Sequence, residues 1–209
     1  MPAFFYFDLG KVLIDFELHL MFRQMAEVAG VDSPAVMAAL MENGLQRQYE
    51  MGGISTAAYF EAFCQRTGTR ADRKALAKAN REIFRLNEPM ERLIRGLHRA
   101  GLRLGVLSNT HANHWDYCRR HFPVLQECFA VHVLSYRVGA CKPDAAIFHA
   151  AAEMAGLAPE DIFFTDDMAE HVAAARAVGF DALQFTSLPQ LIAELRQRGV
   201  EVAAASPGR

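Results

Sequence analysis

Residues 3–7 run apolar without a polar break and stop at Asp8-Leu9-Gly10. Such a run, ending in a polar loop, predicts a strand buried on both faces, as in a parallel sheet. From 18 to 84 the apolar spacing becomes helical, with Phe22, Met25, Met37, Tyr59, Phe60 and Phe63 as core positions, and no strand is expected there. Ser33-Pro34 predicts an N-cap followed by Pro at the first helical position, Gly52-Gly53 breaks the pattern, Ser55 or Thr56 caps the next helix, and 71–84 is again helical. After Pro89 the pattern alternates. Helices are expected at 90–100, 111–121, 144–155, 169–178 and 188–197, with strands at 102–107, 130–134, 161–165 and 182–185. Repeated strand–helix units imply an α/β fold: a doubly wound, Rossmann-like parallel sheet, with an all-helical cap inserted after the first strand. The boundaries read as 1–15 and 88–203 for the core, 16–87 for the cap and 204–209 for a frayed, disordered tail.

Composition narrows the function classes. The chain has 209 residues, 52% of them hydrophobic, which suffices for one core and a sizeable insertion and argues against disorder. Lys and Arg total 22 against 24 Asp and Glu, a net charge of -2, so no basic field draws nucleic acid or anionic lipid. No apolar run approaches the ~18 residues that span a bilayer, and no membrane association is expected. Asp8 splits the apolar N-terminal stretch, and no basic segment or cleavage site frames it as a secretion signal. Cys64, Cys118, Cys128 and Cys141 form no CxxC pair and no zinc-finger spacing, which predicts free thiols and a cytoplasmic location. The oligomeric state is left open.

Ligands of open parallel sheets bind beyond the carboxyl ends of the strands, so the polar residues following each apolar run are the candidate chemistry. These are Asp8 and Gly10, Ser108-Asn109-Thr110, and Asp166-Asp167, with Lys142 between the third strand and its helix. Three carboxylates on neighbouring strand ends repel one another unless a cation sits among them, and Mg²⁺ prefers such oxygen ligands. Ser108 and Lys142 add a hydroxyl and a positive charge suited to phosphoryl oxygens.

The ordered segments FDLGKVLIDF (7–16), VLSNT (106–110), Cys141-Lys142-Pro143 and FFTDD (163–167) resemble the four motifs of the haloacid dehalogenase-like (HAD) hydrolase superfamily. The helical insert resembles that superfamily's four-helix cap. The resemblance implies a Mg²⁺-dependent phosphatase acting on a small phosphorylated metabolite, such as a sugar phosphate, through an aspartyl-phosphate. Asp8 would be the nucleophile, and Ser108 and Lys142 the catalytic phosphoryl-binding pair, with Asn109 beside them in the substrate-binding set. Asp8, Asp166, Asp167 and the Gly10 carbonyl would ligate the metal. The sequence departs from the pattern at Gly10, where most family phosphatases carry a second Asp as general acid. Losing a positioned acid costs on the order of 10²–10⁴ in rate. Members with an Asp-Leu-Gly-Asn first motif, including bacterial α-glucose 1-phosphate phosphatases, look nearest.

Other readings stay open at this point: a quiet binding protein for a phosphorylated ligand, a haloacid dehalogenase, which has no use for the acidic pair, or a phosphomutase, which ordinarily wants the missing acid. His111 and His114 follow the Ser-Asn-Thr turn and could supply a proton instead. Arg47, Tyr49 and Glu50 before Gly52-Gly53 read as an ordinary helix end, Trp115 as packing, and Glu194, Arg196 and Arg198 as a solvated face.

Overall fold

The computed structural model describes residues 1–201, the side chain of Asn43 excepted; the tail expected at 204–209 lies outside the described residues. In chain order the elements are β1 (Phe4–Phe7), β2 (Ile14–Phe16), α1 (Leu18–Ala29), α2 (Ser33–Met41), α3 (Leu45–Glu50), α4 (Thr56–Thr67), α5 (Arg73–Arg81) and β3 (Phe84–Leu86). Then follow α6 (Glu88–Arg99), β4 (Leu104–Ser108), α7 (Ala112–His121), α8 (Val124–Glu127), β5 (Val131–Leu134), α9 (Ser135–Val138) and α10 (Ala145–Ala155). The chain continues through β6 (Ile162–Asp166), α11 (Ala169–Ala177), β7 (Asp181–Gln184) and α12 (Leu188–Gln197).

Five strands form one parallel sheet in the order β5-β4-β1-β6-β7. Parallel strands place all carboxyl ends on one edge, and the order reverses around β1, which makes the end of β1 the natural ligand crevice. Successive side chains point to opposite faces. Phe5, Phe7, Val106 and Phe163 therefore pack with α6, α7 and α12, whereas Phe4, Tyr6, Leu107 and Phe164 pack with α10 and α11. Each such buried ring contributes about 1.5–3 kcal/mol of burial free energy. Gly105 makes room for this layer, since a Cβ there would meet the Tyr6 ring at 2.4 Å. The α/β fold is the expected one, a mostly parallel sheet with helices on both faces.

Helices α1 to α5 build a separate apolar cluster around Met25, Val36, Leu40, Tyr59, Phe63 and Leu76. Their starts are capped by side chains that accept an orphan backbone N–H: Asp32 from Ala35, Ser55 from Ala58 and Asp72 from Ala75. Asp32, not Ser33, is therefore the cap of α2, and Ser33 and Pro34 lie inside the helix.

Flanking the stretch from 18 to 84, where no strand was expected, is a two-stranded antiparallel ribbon that the sequence did not reveal, in which Ile14 faces Leu86, Asp15 faces Arg85 and Phe16 faces Phe84; only Phe84, expected to end a helix, falls inside that stretch. Helix α5 ends at Arg81, and Phe84 turns edge-on to Phe16 at 6.2 Å between ring centres. Asn87 ties this ribbon to the loop after β1, its side chain donating to the Val12 carbonyl and its backbone N–H to that of Leu13. Among the described residues no helix is long and apolar enough to cross a membrane.

Candidate active site

Three carboxylates meet at the carboxyl edge of the sheet. Asp8 follows β1, Asp166 ends β6 and Asp167 comes next, and one oxygen of each lies within 4.8 Å of the others. Asp8 and Asp166 are buried and Asp167 is half-buried. Against them stands one ammonium, that of Lys142, so negative charge is left in excess. An all-oxygen, acidic donor set of this kind suits a hard divalent cation.

Lys142 reaches the edge from the loop before α10 and is 2% exposed. Its Nζ donates to the Leu107 carbonyl at 3.0 Å, to Asp166 Oδ2 at 2.5 Å and to Asp8 Oδ1 at 2.8 Å. These three bonds use all three donors of an ammonium. Burial alone would lower the Lys142 pKa, but the two carboxylates outweigh it and the value is raised. Lys142 therefore stays charged.

Asp8 Oδ1 also accepts the Leu9 N–H at 2.7 Å, so this oxygen is held twice. Oδ2 has no hydrogen-bond partner among the described residues. Burial pushes the Asp8 carboxyl up to about 6, with Lys142 opposing the rise and Asp166 adding to it. Ser108, 2% exposed at the end of β4, makes only a long 3.3 Å contact with the Asn109 carbonyl, and its hydroxyl can turn to a ligand.

Asn109, expected in the substrate-binding set, has its side chain engaged by the Lys142 loop. Its Oδ1 accepts the Lys142 backbone N–H at 2.7 Å and its Nδ2 donates to the Lys142 carbonyl at 2.9 Å. Both ends of the amide clamp the backbone of Lys142, so the side chain positions the lysine.

His171 was not visible as a site residue from sequence. From the first turns of α11 its Nδ1 lies 3.1 Å from both oxygens of Asp166, which also receives the Met168 N–H at 2.8 Å. An ionised carboxylate only accepts, so Nδ1 carries the proton in this pair. Burial would raise the Asp166 pKa, yet the bonds from His171 and Lys142 bring it down to about 2. Asp167 is raised by burial and by its acidic neighbour. The available signal was a histidine five positions after Asp166, between Glu170 and Val172 on a helix that must cover the sheet.

The helical block closes over this edge through polar contacts. Ser135 Oγ donates to the Glu50 carbonyl at 2.6 Å and accepts the Thr110 N–H at 2.9 Å. Asn113 donates to Asn80 Oδ1 at 2.9 Å. The His111 ring is fully buried between Tyr49, 4.2 Å away, and His114, 3.8 Å away. Burial holds His111 well below the usual imidazole range and lowers His114 to about 4. The His114 Nε2 donates to the Asn80 carbonyl at 3.0 Å. Both rings are thus neutral members of this seam. At residue 10 the available space is already taken: a Cβ would stand 2.8 Å from the Phe16 ring.

Comparisons with known proteins agree with this geometry. A HAD family enzyme of Bacteroides thetaiotaomicron, solved in complex with magnesium and inorganic phosphate, superposes with a TM-score of 0.82 at 23% identity, over 91% of this chain and 99% of that one. A predicted HAD-like family hydrolase of Porphyromonas gingivalis gives 0.82 at 25% identity, over 94% and 98%. "Phosphatase MT3486" of Mycobacterium tuberculosis (strain CDC 1551 / Oshkosh) is 37% identical over 90 residues, 40% of this chain. The matched stretch spans 39% of that relative's length. The haloacid dehalogenase-like hydrolase profile matches residues 5–179, which includes every acidic and basic residue gathered at the sheet edge, and the chain belongs to this hydrolase family.

Proposed function

We propose that the protein is a magnesium-dependent phosphatase that transfers the phosphoryl group of a small phosphorylated metabolite, such as a sugar phosphate, to Asp8 and then to water. The observation that carries this reading is the state of Asp8. One oxygen is pinned by Lys142 and Leu9 and the other is left unengaged, beside two further carboxylates. A carboxylate so oriented is a positioned nucleophile. The relative named a phosphatase and the neighbour holding magnesium and phosphate support the same chemistry.

In this mechanism Asp8 Oδ2 attacks phosphorus, while the Ser108 hydroxyl donates to a phosphoryl oxygen and the positive charge of Lys142, held beside Asp8, neutralises charge on the phosphoryl group. Asn109 keeps Lys142 in place, and His171 holds Asp166 ionised. Asp8, Asp166, Asp167 and the Gly10 carbonyl would hold Mg²⁺, which supplies charge neutralisation at the phosphoryl oxygens. Residues 16–87 act as a cap over a catalytic core of 1–15 and 88–203, and exclude water. The free thiols, three of them buried, fit a reducing, cytoplasmic setting.

The test is inorganic phosphate release from an aryl phosphate, with Mg²⁺ and with chelator. Release is expected only with metal, and Asp8→Asn is expected to abolish it while circular dichroism stays native. Substantial turnover by folded Asp8→Asn would remove the mechanism.

A further inference from the structure

We propose that this site turns over only phosphoryl donors whose leaving group departs without being protonated: acyl phosphates, phosphoanhydrides, aryl and enol phosphates, and phosphates on an anomeric carbon. The proposal rests on the aspartyl-phosphate reading above and narrows its substrate class.

The side chains around Asp8 that carry a proton are engaged elsewhere. An ordinary alkoxide is a poor leaving group, and its departure calls for an acid in the transition state. Lys142 has its three donors engaged by Leu107, Asp8 and Asp166. Both oxygens of Asp166 are engaged, Oδ2 by Lys142 and His171 and Oδ1 by the Met168 N–H and His171. His111 and His114 sit in the seam with the helical block, His111 stacked on Tyr49 and His114 tilted against His111 with its Nε2 on the Asn80 carbonyl.

Residue 10, on the loop that carries the nucleophile, is where the resemblance would place an acid, and the structure leaves little room for one; Asp167 stands with the carboxylates assigned to the metal. Gly10 has no side chain, and the place of its Cβ lies 2.8 Å from the Phe16 ring. That ring is fixed from two sides. Phe84 meets it edge-on across the ribbon, and the Lys11 ammonium lies 4.7 Å from its centre. The same ammonium donates to the Phe16 carbonyl at 2.8 Å, which ties Lys11 to the ribbon as well. An apolar ring, braced by a cation, thus stands at the position where the resemblance would put an acid.

The chemistry balances without one. Asp8 Oδ2 bonds to phosphorus as the bond to the leaving oxygen breaks, and the electron pair leaves with that oxygen, which takes its proton from bulk water afterwards. Water then adds to phosphorus and loses its proton to solvent. The Asp8 carboxylate departs with its electron pair, and inorganic phosphate is released. This second step is the same for every donor and has no general base at residue 10, so it limits turnover whenever the leaving group is good.

The experiment is a series of phosphate monoesters graded from nitrophenyl through phenyl to primary alkyl, with acetyl phosphate alongside, assayed with Mg²⁺. For the wild type we expect kcat/KM to fall by on the order of 10²–10⁴ from nitrophenyl to alkyl. We also expect kcat to level off among the good donors, and a burst of nitrophenol equal to the enzyme concentration. The double variant Gly10→Asp/Phe16→Ala, which supplies a carboxyl and clears the ring, is expected to flatten the slope. Wild-type kcat/KM values that match across aryl and alkyl donors would overturn this proposal and leave the phosphatase reading standing. No release from any donor, acetyl phosphate included, would overturn both. The wild-type series decides whether or not the double variant folds.

Discussion

Asn109 uses both ends of its side-chain amide on the backbone of one residue, Lys142. The ammonium that steers Asp8 therefore depends on a neutral side chain on the neighbouring loop. Asn109→Ala is expected to lower kcat/KM by about 10²-fold, the cost of an ångström-scale misplacement, with little change in melting temperature. A wild-type kcat/KM in that variant would show that the Lys142 loop holds itself. At this scale the sequence was legible where chemistry follows a strand. Asp8, Ser108, Lys142, Asp166 and Asp167 all stand at or near the ends of apolar runs, and the structure gathers them. His171 and Ser135 were not legible, because their partners, Asp166 and the Glu50 carbonyl, are chosen by how α11 and α9 dock. Asn109 was visible, but its hold on the Lys142 backbone was not, since a polar residue after a strand looks the same whether it faces a ligand or a neighbouring loop.

Helix α7 starts inside the seam, with His111 as its N-cap and His114 one turn on. Their burial makes the seam sensitive to acid. An unfolded histidine takes a proton as the pH falls through its ordinary value near 6.5, whereas folded His114 resists until about 4. The unfolded state binds more protons in that window, so the contribution of the neutral ring is complete above 6.5 and is lost as the pH falls towards 4. His111 acts in the same sense. Asp8, raised to about 6, acts in the opposite sense, since the folded state holds its proton first. Comparing wild type with His114→Gln cancels Asp8. The variant is expected to lose less melting temperature between pH 6.5 and 4, and parallel curves would sink the assignment. Element existence was otherwise readable from period alone, in the strands of the sheet and in helices such as α12. The ribbon of β2 and β3 escaped, because three residues are too few to display alternation and Phe84 continues a helical spacing that α5 abandons at Arg81.

Across the whole molecule the helical block is seated on the sheet by backbone as much as by side chains. Gly52, at φ +71°, lies so close to α9 that a Cβ would be 2.1 Å from the Tyr136 carbonyl oxygen. Gly30 has nearly the same φ, +69°, but open space around it. Gly30→Ala thus reports the left-handed backbone cost alone, about 1 kcal/mol, whereas Gly52→Ala adds a collision that must lift the block. We expect the larger loss of melting temperature and a raised KM only in Gly52→Ala; equal effects would show that the seat is slack. The same view gives the ribbon a further meaning. The chain leaves the sheet through β2 and returns through β3, its hydrogen-bonded neighbour, so the two crossings are about 4.8 Å apart. To the sheet, everything between residues 17 and 83 is one long hairpin loop closed at its neck. Closure entropy rises by only about 0.6 kcal/mol for each doubling of such a loop. Helices can therefore be lengthened, traded or removed beyond the neck at little cost to the sheet, and the surface that the helical block presents can change while the carboxylates at the sheet edge stay where they are.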